Sequence, residues 1–173
     1  AMKKKHLKKF LLGFLAGLLA VLLVAIVMLG WYFPKYLRNR QALSMAPESG
    51  HITMMSANVR CLTPLDLGKK SWFYRADLVP EHLQPQAPGI MGSRDTTPVP
   101  HHYLGDALPQ YDSVITYRDK FILSEGCPIF YHRDLYELKD KGSFWLSETP
   151  ETMSKDWGAA CYRVCSYVIL KEK

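Results

Sequence analysis

The stretch ITMMSANV, residues 52–59, decides how the chain folds. Its polar side chains, Thr53 and Ser56, are outnumbered by apolar neighbours, and the stretch is too short to favour a helix. It therefore predicts a β-strand. The segment that follows is polar and rich in turn-forming residues, so the strand is expected to end near Val59.

Short apolar segments separated by turn signals follow this strand. Residues 71–79 have helical spacing, although Pro80 and Pro85 limit the helix because an interior proline costs about 3 kcal/mol. Asp140, Lys141 and Gly142 predict a turn. Further strands are predicted at 89–92, 114–117, 129–131, 135–138, 144–146 and 161–170. Strands mixed with few helices predict a layered α/β or α+β domain.

Four segments after residue 50 resemble the endonuclease/exonuclease/phosphatase family of metal-dependent phosphoesterases. They keep the family's order and approximate spacing: MSANVRC (55–61), Ser71-Trp72 with Arg75 and Leu78-Val79, PIFY (128–131), and FWLSETP (144–150). The resemblance implies an α/β fold, part of a four-layered α/β sandwich in which two central sheets are flanked by helices. It also implies that residues 51–173 form a family domain that is incomplete at its C-terminal side.

The resemblance assigns functional residues as well. It places Asn58 at the phosphate and metal site, as a catalytic and metal-contacting residue. Asp95 takes the position of a metal-binding Glu, because GIMGSRD (89–95) stands where a DIIGFQE-like sequence occurs. The implied metal is Mg²⁺ or Mn²⁺, and because Asp is one methylene shorter, the contact needs a backbone shift or an intervening water. Arg94 and Arg118 are the implied ligands of the substrate phosphate.

Ordinary structural roles compete with three of these assignments. Asp95 could instead cap the segment that follows it. Arg94 could repel a metal ion rather than bind a phosphate, since the guanidinium and the metal ion are both cationic. Arg118 and Asp119 could form an exposed ion pair.

The family motifs that supply the general base are not matched in this sequence. An Asp-x-Asn motif and an Asp-His pair do not appear before Lys173, and no histidine occupies a matching position. His101 and His102 are a poor metal pair because neighbouring side chains point apart. We therefore expect a metal-dependent phosphoesterase-like protein, acting on a phosphomonoester or phosphodiester, with weak or absent turnover. A non-catalytic membrane-anchored remnant or binding module of the same fold is the alternative.

The N-terminal region predicts a membrane anchor. An uncharged apolar run, residues 10–33, follows a basic flank, residues 1–9, that holds five lysines. At about 1.5 Å per residue the run spans roughly 36 Å, enough to cross a hydrocarbon core of about 30 Å. It is longer than the apolar core of about 7–15 residues in a cleaved signal peptide. The positive-inside bias predicts a cytoplasmic N-terminus, a juxtamembrane stalk at 34–50, and an extracytoplasmic domain at the cell membrane.

The charge of the chain is concentrated beside this anchor. The formal net charge is +6, but residues 1–40 carry eight of the 22 basic residues and none of the 16 acidic ones. The basic residues therefore orient the helix, and they argue against nucleic acid as a partner. The expected partners are the lipid bilayer and a phosphate-ester small molecule or lipid headgroup. Gly13 and Gly17 could also support a weak helix–helix dimer.

Overall fold

The computed structural model describes residues 2–38 and 50–173, which belong to two separate units. The first unit is the helix α1 (Met2–Arg38). By length and composition alone, its segment His6–Val27 is long and apolar enough to cross a membrane. The helix continues past the predicted end at Phe33, and most of the predicted stalk, residues 39–49, lies outside the described residues.

The second unit is built on a four-stranded sheet with the strand order β1-β2-β4-β3. Its strands are β1 (Met54–Asn58), β2 (Ile90–Arg94), β3 (Tyr111–Val114) and β4 (Ile129–His132). β1 and β2 run parallel, whereas β4 is antiparallel to both of its neighbours. Three helices connect the first three strands: α2 (Trp72–Arg75), α3 (Leu78–Leu83) and α4 (Pro98–Ala107).

Large apolar side chains form the core on the helical face of this sheet. Met91 of β2 lies opposite Phe130 of β4, and each is 1% exposed. Trp72 of α2 meets Tyr103 of α4 edge to face, with ring centroids 5.8 Å apart. Fully burying side chains of this size contributes about 1.5–3 kcal/mol each, so this layer stabilises the unit.

A second, two-stranded antiparallel sheet covers the opposite face. It consists of β5 (Tyr136–Trp145) and β6 (Val164–Glu172). Tyr136 of β5 joins Val114 and Tyr131 in a buried cluster, and partly buried side chains of both sheets pack around it. Helices, a four-stranded sheet and a two-stranded sheet thus stack in layers, which confirms the predicted α/β sandwich.

Several element boundaries differ from the sequence-based expectation. The predicted helix at 71–79 is two short helices, and Pro80 is tolerated in the first turn of α3, where no backbone N–H donor is required. The helix α4 was not predicted, because Pro98 and Pro100 signal a loop although both also fit a first helical turn. The strand predicted at 114–117 is instead β3, which ends at Val114.

The turn predicted at Asp140 to Gly142 is wrong. Residues 136–145 form the single strand β5, with an irregularity in pairing between Leu138 and Asp140. Gly142 lies in the strand against the ring of Tyr167, and a Cβ atom there would lie 2.5 Å from that ring and push this exposed side chain aside.

Candidate functional site

The candidate site lies where the parallel strands β1 and β2 end. Asn58 is the last residue of β1 and pairs in register with Arg94, the last residue of β2, and Asp95 follows directly. Asn58 Nδ2 donates a hydrogen bond to Asp95 Oδ2 at 2.5 Å. The structure therefore brings together the two residues that the sequence predicted as the metal and phosphate site.

Local backbone geometry fixes the orientation of the Asn58 amide. Its Oδ1 accepts a hydrogen bond from the Arg60 N–H at 2.8 Å, which leaves Nδ2 directed to Asp95. Arg60 and Asp95 both have left-handed φ values, +55° and +56°. Such a conformation costs a non-glycine residue about 1–3 kcal/mol and is concentrated at functional sites. Asp95 is thus held by its strained turn and by Asn58, not by a capping role, since Thr97 is the N-cap of α4.

Two arginines hold the chain segment that follows β1. Arg60 binds both carboxylate oxygens of Asp66, with Nε–Oδ2 and Nη2–Oδ1 distances of 2.7 Å. This hydrogen bonding lowers the pKa of Asp66. Arg75 donates to the carbonyl groups of Val59 and Arg60 and lies over the Trp72 ring, 5.1 Å from its centroid. The loop beside Asn58 is therefore tied to the buried helical layer.

Arg118 lies on a small cavity that Asp95 also lines. The cavity has a volume of about 70 Å³, and Glu125, Cys127 and Arg163 contribute to its wall. Arg118 Nη1 forms an ion pair with Glu125, and its Nε lies 3.6 Å from Asp119 Oδ2. The predicted ion pair between Arg118 and Asp119 therefore exists, but it is longer than the ion pair between Arg118 and Glu125. The same guanidinium lines the cavity that Asp95 lines.

The family-like segments 128–131 and 144–150 form hydrogen bonds with residues on or next to this cavity. Trp145 Nε1 donates to the Arg118 carbonyl at 2.8 Å, which fixes the backbone of that arginine. Pro128 accepts a hydrogen bond from the Ser93 N–H at 2.8 Å, next to Arg94. These contacts explain why both segments matter to a site from which they are distant in sequence.

Gly126 joins the Asp95 turn to the Arg118 segment. Its N–H and C=O both bond to Thr96, at 2.9 and 3.2 Å, and it also bridges to Tyr117. A Cβ atom at this position would lie 2.8 Å from the Thr116 carbonyl oxygen. A glycine is therefore required to bring the two segments this close.

Sequence reasoning missed Glu125 and Cys61 as parts of the site. Glu125 pairs with Arg118, and burial together with a hydrogen bond to Glu125 raises the pKa of the Cys61 thiol. Glu125 lies in no motif and reaches the site through tertiary contacts, whereas Cys61 ends the family-like segment MSANVRC (55–61), which assigns its thiol no role. All four cysteines are free, partly buried thiols.

The histidines of the second unit lie elsewhere. His101, in α4, forms a hydrogen bond with Ser113 of β3 at 2.9 Å, and burial lowers the pKa of its ring. His102 is exposed, with its ring centroid 6.1 Å from that of His101. His132 is buried against Tyr111. Within residues 50–173, no histidine lines the Asp95 cavity.

The donor set fits part of a magnesium or manganese site. Asp95 offers a carboxylate and Asn58 an amide, both groups that Mg²⁺ accepts beside water and substrate phosphate. In the part of the chain that the structure describes, no cluster of three or more His, Cys, Asp or Glu side chains could hold a metal ion. These residues would therefore supply one or two ligands, not a complete protein cage.

Comparisons with known proteins agree with this geometry. No protein-family model and no curated protein sequence matches the chain. An endonuclease/exonuclease/phosphatase family protein of known structure from Bacteroides thetaiotaomicron is 32% identical, with a TM-score of 0.66, over 70% of this chain and 46% of its own. The mannosyl-6-phosphatase of the same organism is 31% identical, with the same TM-score and coverage.

A third solved structure extends the pattern to another species. The endonuclease/exonuclease/phosphatase from Bacteroides vulgatus is 29% identical, with a TM-score of 0.66, over 70% of this chain and 47% of its own. The chain thus spans about half the length of the solved proteins that it matches. With this shared fold, and with Asn58 and Asp95 meeting at the ends of neighbouring strands, the second unit resembles about half of an endonuclease/exonuclease/phosphatase family domain.

Proposed function

We propose that this chain is a membrane-anchored, metal-dependent phosphoesterase-like protein that binds phosphate esters and turns them over weakly on its own. The observation that carries the proposal is the hydrogen bond between Asn58 and Asp95 at the ends of β1 and β2. The similarity to a mannosyl-6-phosphatase supports a phosphate ester as the ligand. A sugar phosphate, another small phosphomonoester or diester, and a lipid headgroup all present the same phosphate chemistry.

Each site residue has a distinct role in this proposal. Asp95 holds the divalent cation, and the Asn58 amide orients that carboxylate and donates to a phosphate oxygen. Arg118, on the wall of the same cavity, binds phosphate once it exchanges part of its contact with Glu125. Arg94, exposed at the end of β2, adds a second guanidinium at the same edge of the sheet. The bound Mg²⁺ or Mn²⁺ would offset charge on the phosphoryl oxygens.

Weak turnover follows from the groups that the site contains. A positioned general base contributes about 10² to 10⁴ in rate, and a transition-state donor about 10² to 10³. Among the described residues the site contains Asn58, Asp95, Glu125 and three arginines, Arg94, Arg118 and Arg163, and Glu125 is engaged by Arg118. Ligand binding is therefore expected to exceed catalysis, and a binding module of the same fold is the second candidate function.

The test measures phosphate binding and hydrolysis with the full chain in detergent micelles. Titration of inorganic phosphate in the presence of Mn²⁺ should give binding that Asp95→Asn removes. Asp134→Asn is the matched control, because Asp134 is exposed in the turn between β4 and β5, at the other end of the sheet. Phosphate binding that is absent, or unchanged by Asp95→Asn, would refute the proposed site.

Hydrolysis then separates the two candidate functions. With p-nitrophenyl phosphate, its diester and mannose 6-phosphate, we expect rates near background with Mg²⁺ or Mn²⁺. Slow hydrolysis that requires both Asn58 and Asp95 would favour the phosphoesterase, and none at all would favour the binding module. Fast turnover would contradict the claim of weak activity.

The anchor is tested separately, since α1 is long and apolar enough to span a membrane by composition alone. The proposal places the N-terminus in the cytoplasm and residues after about 35 outside. A protease added to intact cells should then digest the second unit. Protection of that unit, or release of the protein by carbonate washing, would show that the proposed topology is wrong.

A further inference from the structure

The loop that follows β1, residues 60–70, reverses the usual pattern of burial. Its acidic residue, Asp66, is 8% exposed and is bound by Arg60, whereas the neighbouring Leu65 and Leu67 are 88% and 74% exposed. Charged side chains are ordinarily the exposed ones and leucines the buried ones. Because the bidentate ion pair holds Asp66 inward, the leucines on either side of it face outward.

The hairpin 118–125 repeats this arrangement. The Phe121 N–H donates to Asp119 Oδ1 at 2.9 Å, and the Asp119 N–H donates to Ser124 Oγ at 3.1 Å. Ser124 is buried, whereas Phe121 and Ile122 are 66% and 79% exposed. The polar side chains therefore close the turn, and the apolar side chains at its tip face outward.

Both loops flank the candidate site. The first loop begins directly after β1, and the hairpin begins at Arg118, which lines the same cavity as Asp95. The loops are joined near their ends, because the Cys61 thiol forms a hydrogen bond with the Glu125 carboxylate. Four outward-facing side chains are thus held by loops around one site, and we call them the apolar tips: Leu65, Leu67, Phe121 and Ile122.

The charge of these loops differs from that of the rest of the second unit. Residues 60–70 and 118–125 hold five basic and three acidic residues, whereas the remainder of residues 50–173 holds nine basic and twelve acidic ones. All three acids of the loops form ion pairs with Arg60 or Arg118. The other basic residues of the loops are exposed lysines: Lys69, Lys70 and Lys120.

Exposed apolar side chains beside lysines match the chemistry of a bilayer surface. The apolar groups can enter the boundary between headgroups and acyl chains, and the lysines are attracted to anionic headgroups. We propose that the apolar tips bind the surface of an anionic lipid bilayer, with the candidate site facing the headgroups. The contact rests on the two loops alone, whereas a lipid headgroup as the phosphate ester in the site rests on the proposed function.

The test uses the full, ¹⁵N-labelled chain in lipid nanodiscs. The discs contain phosphatidylcholine and phosphatidylglycerol, with a small fraction of a phosphatidylcholine that carries a nitroxide on its acyl chain. The nitroxide broadens the amide signals of residues that approach the bilayer. We expect loss of the signals of the apolar tips, while those around Asp134, at the other end of the sheet, are retained. Neither metal nor phosphate is added, so a failure of the proposed phosphate site does not change this result.

The signals of α1 report on the proposed anchor separately. Their loss over residues 6–27 would place this helix in the bilayer. Loss of the α1 signals with sharp signals at the apolar tips would overturn the loop contact and support the anchor. Loss at the apolar tips with sharp α1 signals would support the loop contact and refute the anchor.

Ile122→Asp and Ile52→Asp form a matched pair. Both replace an exposed isoleucine with a charge, but Ile52 lies before β1, at the end of the sheet opposite to the candidate site. Ile122→Asp should restore the signals of the hairpin, and Ile52→Asp should leave them broadened. Thermal unfolding of both variants verifies that each is folded.

The lipid composition tests the lysines. Discs of phosphatidylcholine alone should broaden the apolar tips less, because the anionic headgroups are gone. Sharp signals at the apolar tips in the anionic discs, equal broadening in Ile122→Asp and Ile52→Asp, or equal broadening in both kinds of disc would overturn the proposal. A soluble protein that binds these loops while the tips stay sharp in nanodiscs would assign the surface to a protein partner and would also overturn it.

Discussion

The two edge strands of the four-stranded sheet, β3 and β1, differ in how they are protected. On β3, Tyr111 and Val114 are buried, and the Tyr111 hydroxyl donates to the Pro88 carbonyl. An ion pair between Asp112 and Arg133, at 3.0 Å, places charges at that edge. On β1, Met54 is exposed, and an open apolar groove lies beside the strand.

This difference separates a covered edge from an exposed edge that lies beside the candidate site. Charged and covered edges prevent unwanted pairing, which describes β3. The β1 side instead has the strained backbone at Arg60, the exposed apolar side chains and the candidate phosphate and metal site at Asn58. Apolar packing stabilises the β3 side, whereas polar contacts such as Arg60–Asp66 hold the β1 side.

The largest expected effect is the contrast between a core residue and an edge residue. Phe130→Ala, which opens a cavity beside Met91, should lower the free energy of unfolding by about 3–5 kcal/mol. Met54→Ala should change it by less than about 0.5 kcal/mol, because the side chain is already exposed. Urea unfolding followed by tryptophan fluorescence measures both. Equal losses would mean that β1 is packed as tightly as β4 and would break the comparison.

A glycine pair tests the connection between the two sides. Gly126→Ala should cost about 1–3 kcal/mol, because its Cβ would meet Ile115 and the Thr116 carbonyl at 2.8 Å. Gly105→Ala has open space around it in α4 and should stabilise the unit by about 0.5–1 kcal/mol. Thermal unfolding measures both variants: the midpoint should fall for Gly126→Ala and rise for Gly105→Ala. A neutral Gly126→Ala would show that the Asp95 turn and the Arg118 segment are not held by close backbone contact.

A smaller, pH-dependent effect is expected on the β1 side from Asp66. The hydrogen bond from Arg60 lowers the pKa of Asp66 below its ordinary value of 3.8. A lowered pKa in the folded state means that the stabilisation is complete above the ordinary value and is lost as the pH falls through the folded value. Asp66→Asn should therefore lower the urea midpoint by more at pH 7 than at pH 3, which lies below the ordinary value. A difference that is the same at both pH values would show that the ion pair does not stabilise the loop after β1.

The central strands could be predicted from the sequence because their signals are local. The apolar runs at 52–59, 89–92 and 129–131 correspond to β1, β2 and β4 within a few residues. The incorrect predictions came from residues that fit two kinds of local structure. Pro98 and Pro100 fit either a loop or a helix start, and Gly142 fits either a turn or close contact with Tyr167.

The candidate site was predictable only in part. Asn58 lies at the end of one predicted strand and Asp95 follows another, and the parallel pairing of β1 with β2 places them in contact. Glu125 precedes Gly126, whose bridge to Thr96 spans 30 residues and has no sequence pattern of its own. Cys61 lies near β1, but its contact with Glu125 could not be predicted from the sequence. The open edge of β1 could not be predicted either, since a strand sequence does not state whether one or two neighbours pair with it.

The most direct test of the candidate site is paramagnetic broadening by Mn²⁺ in nuclear magnetic resonance spectra of the full, ¹⁵N-labelled chain in micelles. Substoichiometric Mn²⁺ should broaden the amide signals of Asn58, Asp95 and Thr96, while those around Tyr111 on the β3 edge remain sharp. Asp95→Asn should remove this local broadening, and Asp134→Asn should preserve it. Broadening that is spread over the surface, or that persists in Asp95→Asn, would contradict the assignment of a metal and phosphate site to the ends of β1 and β2.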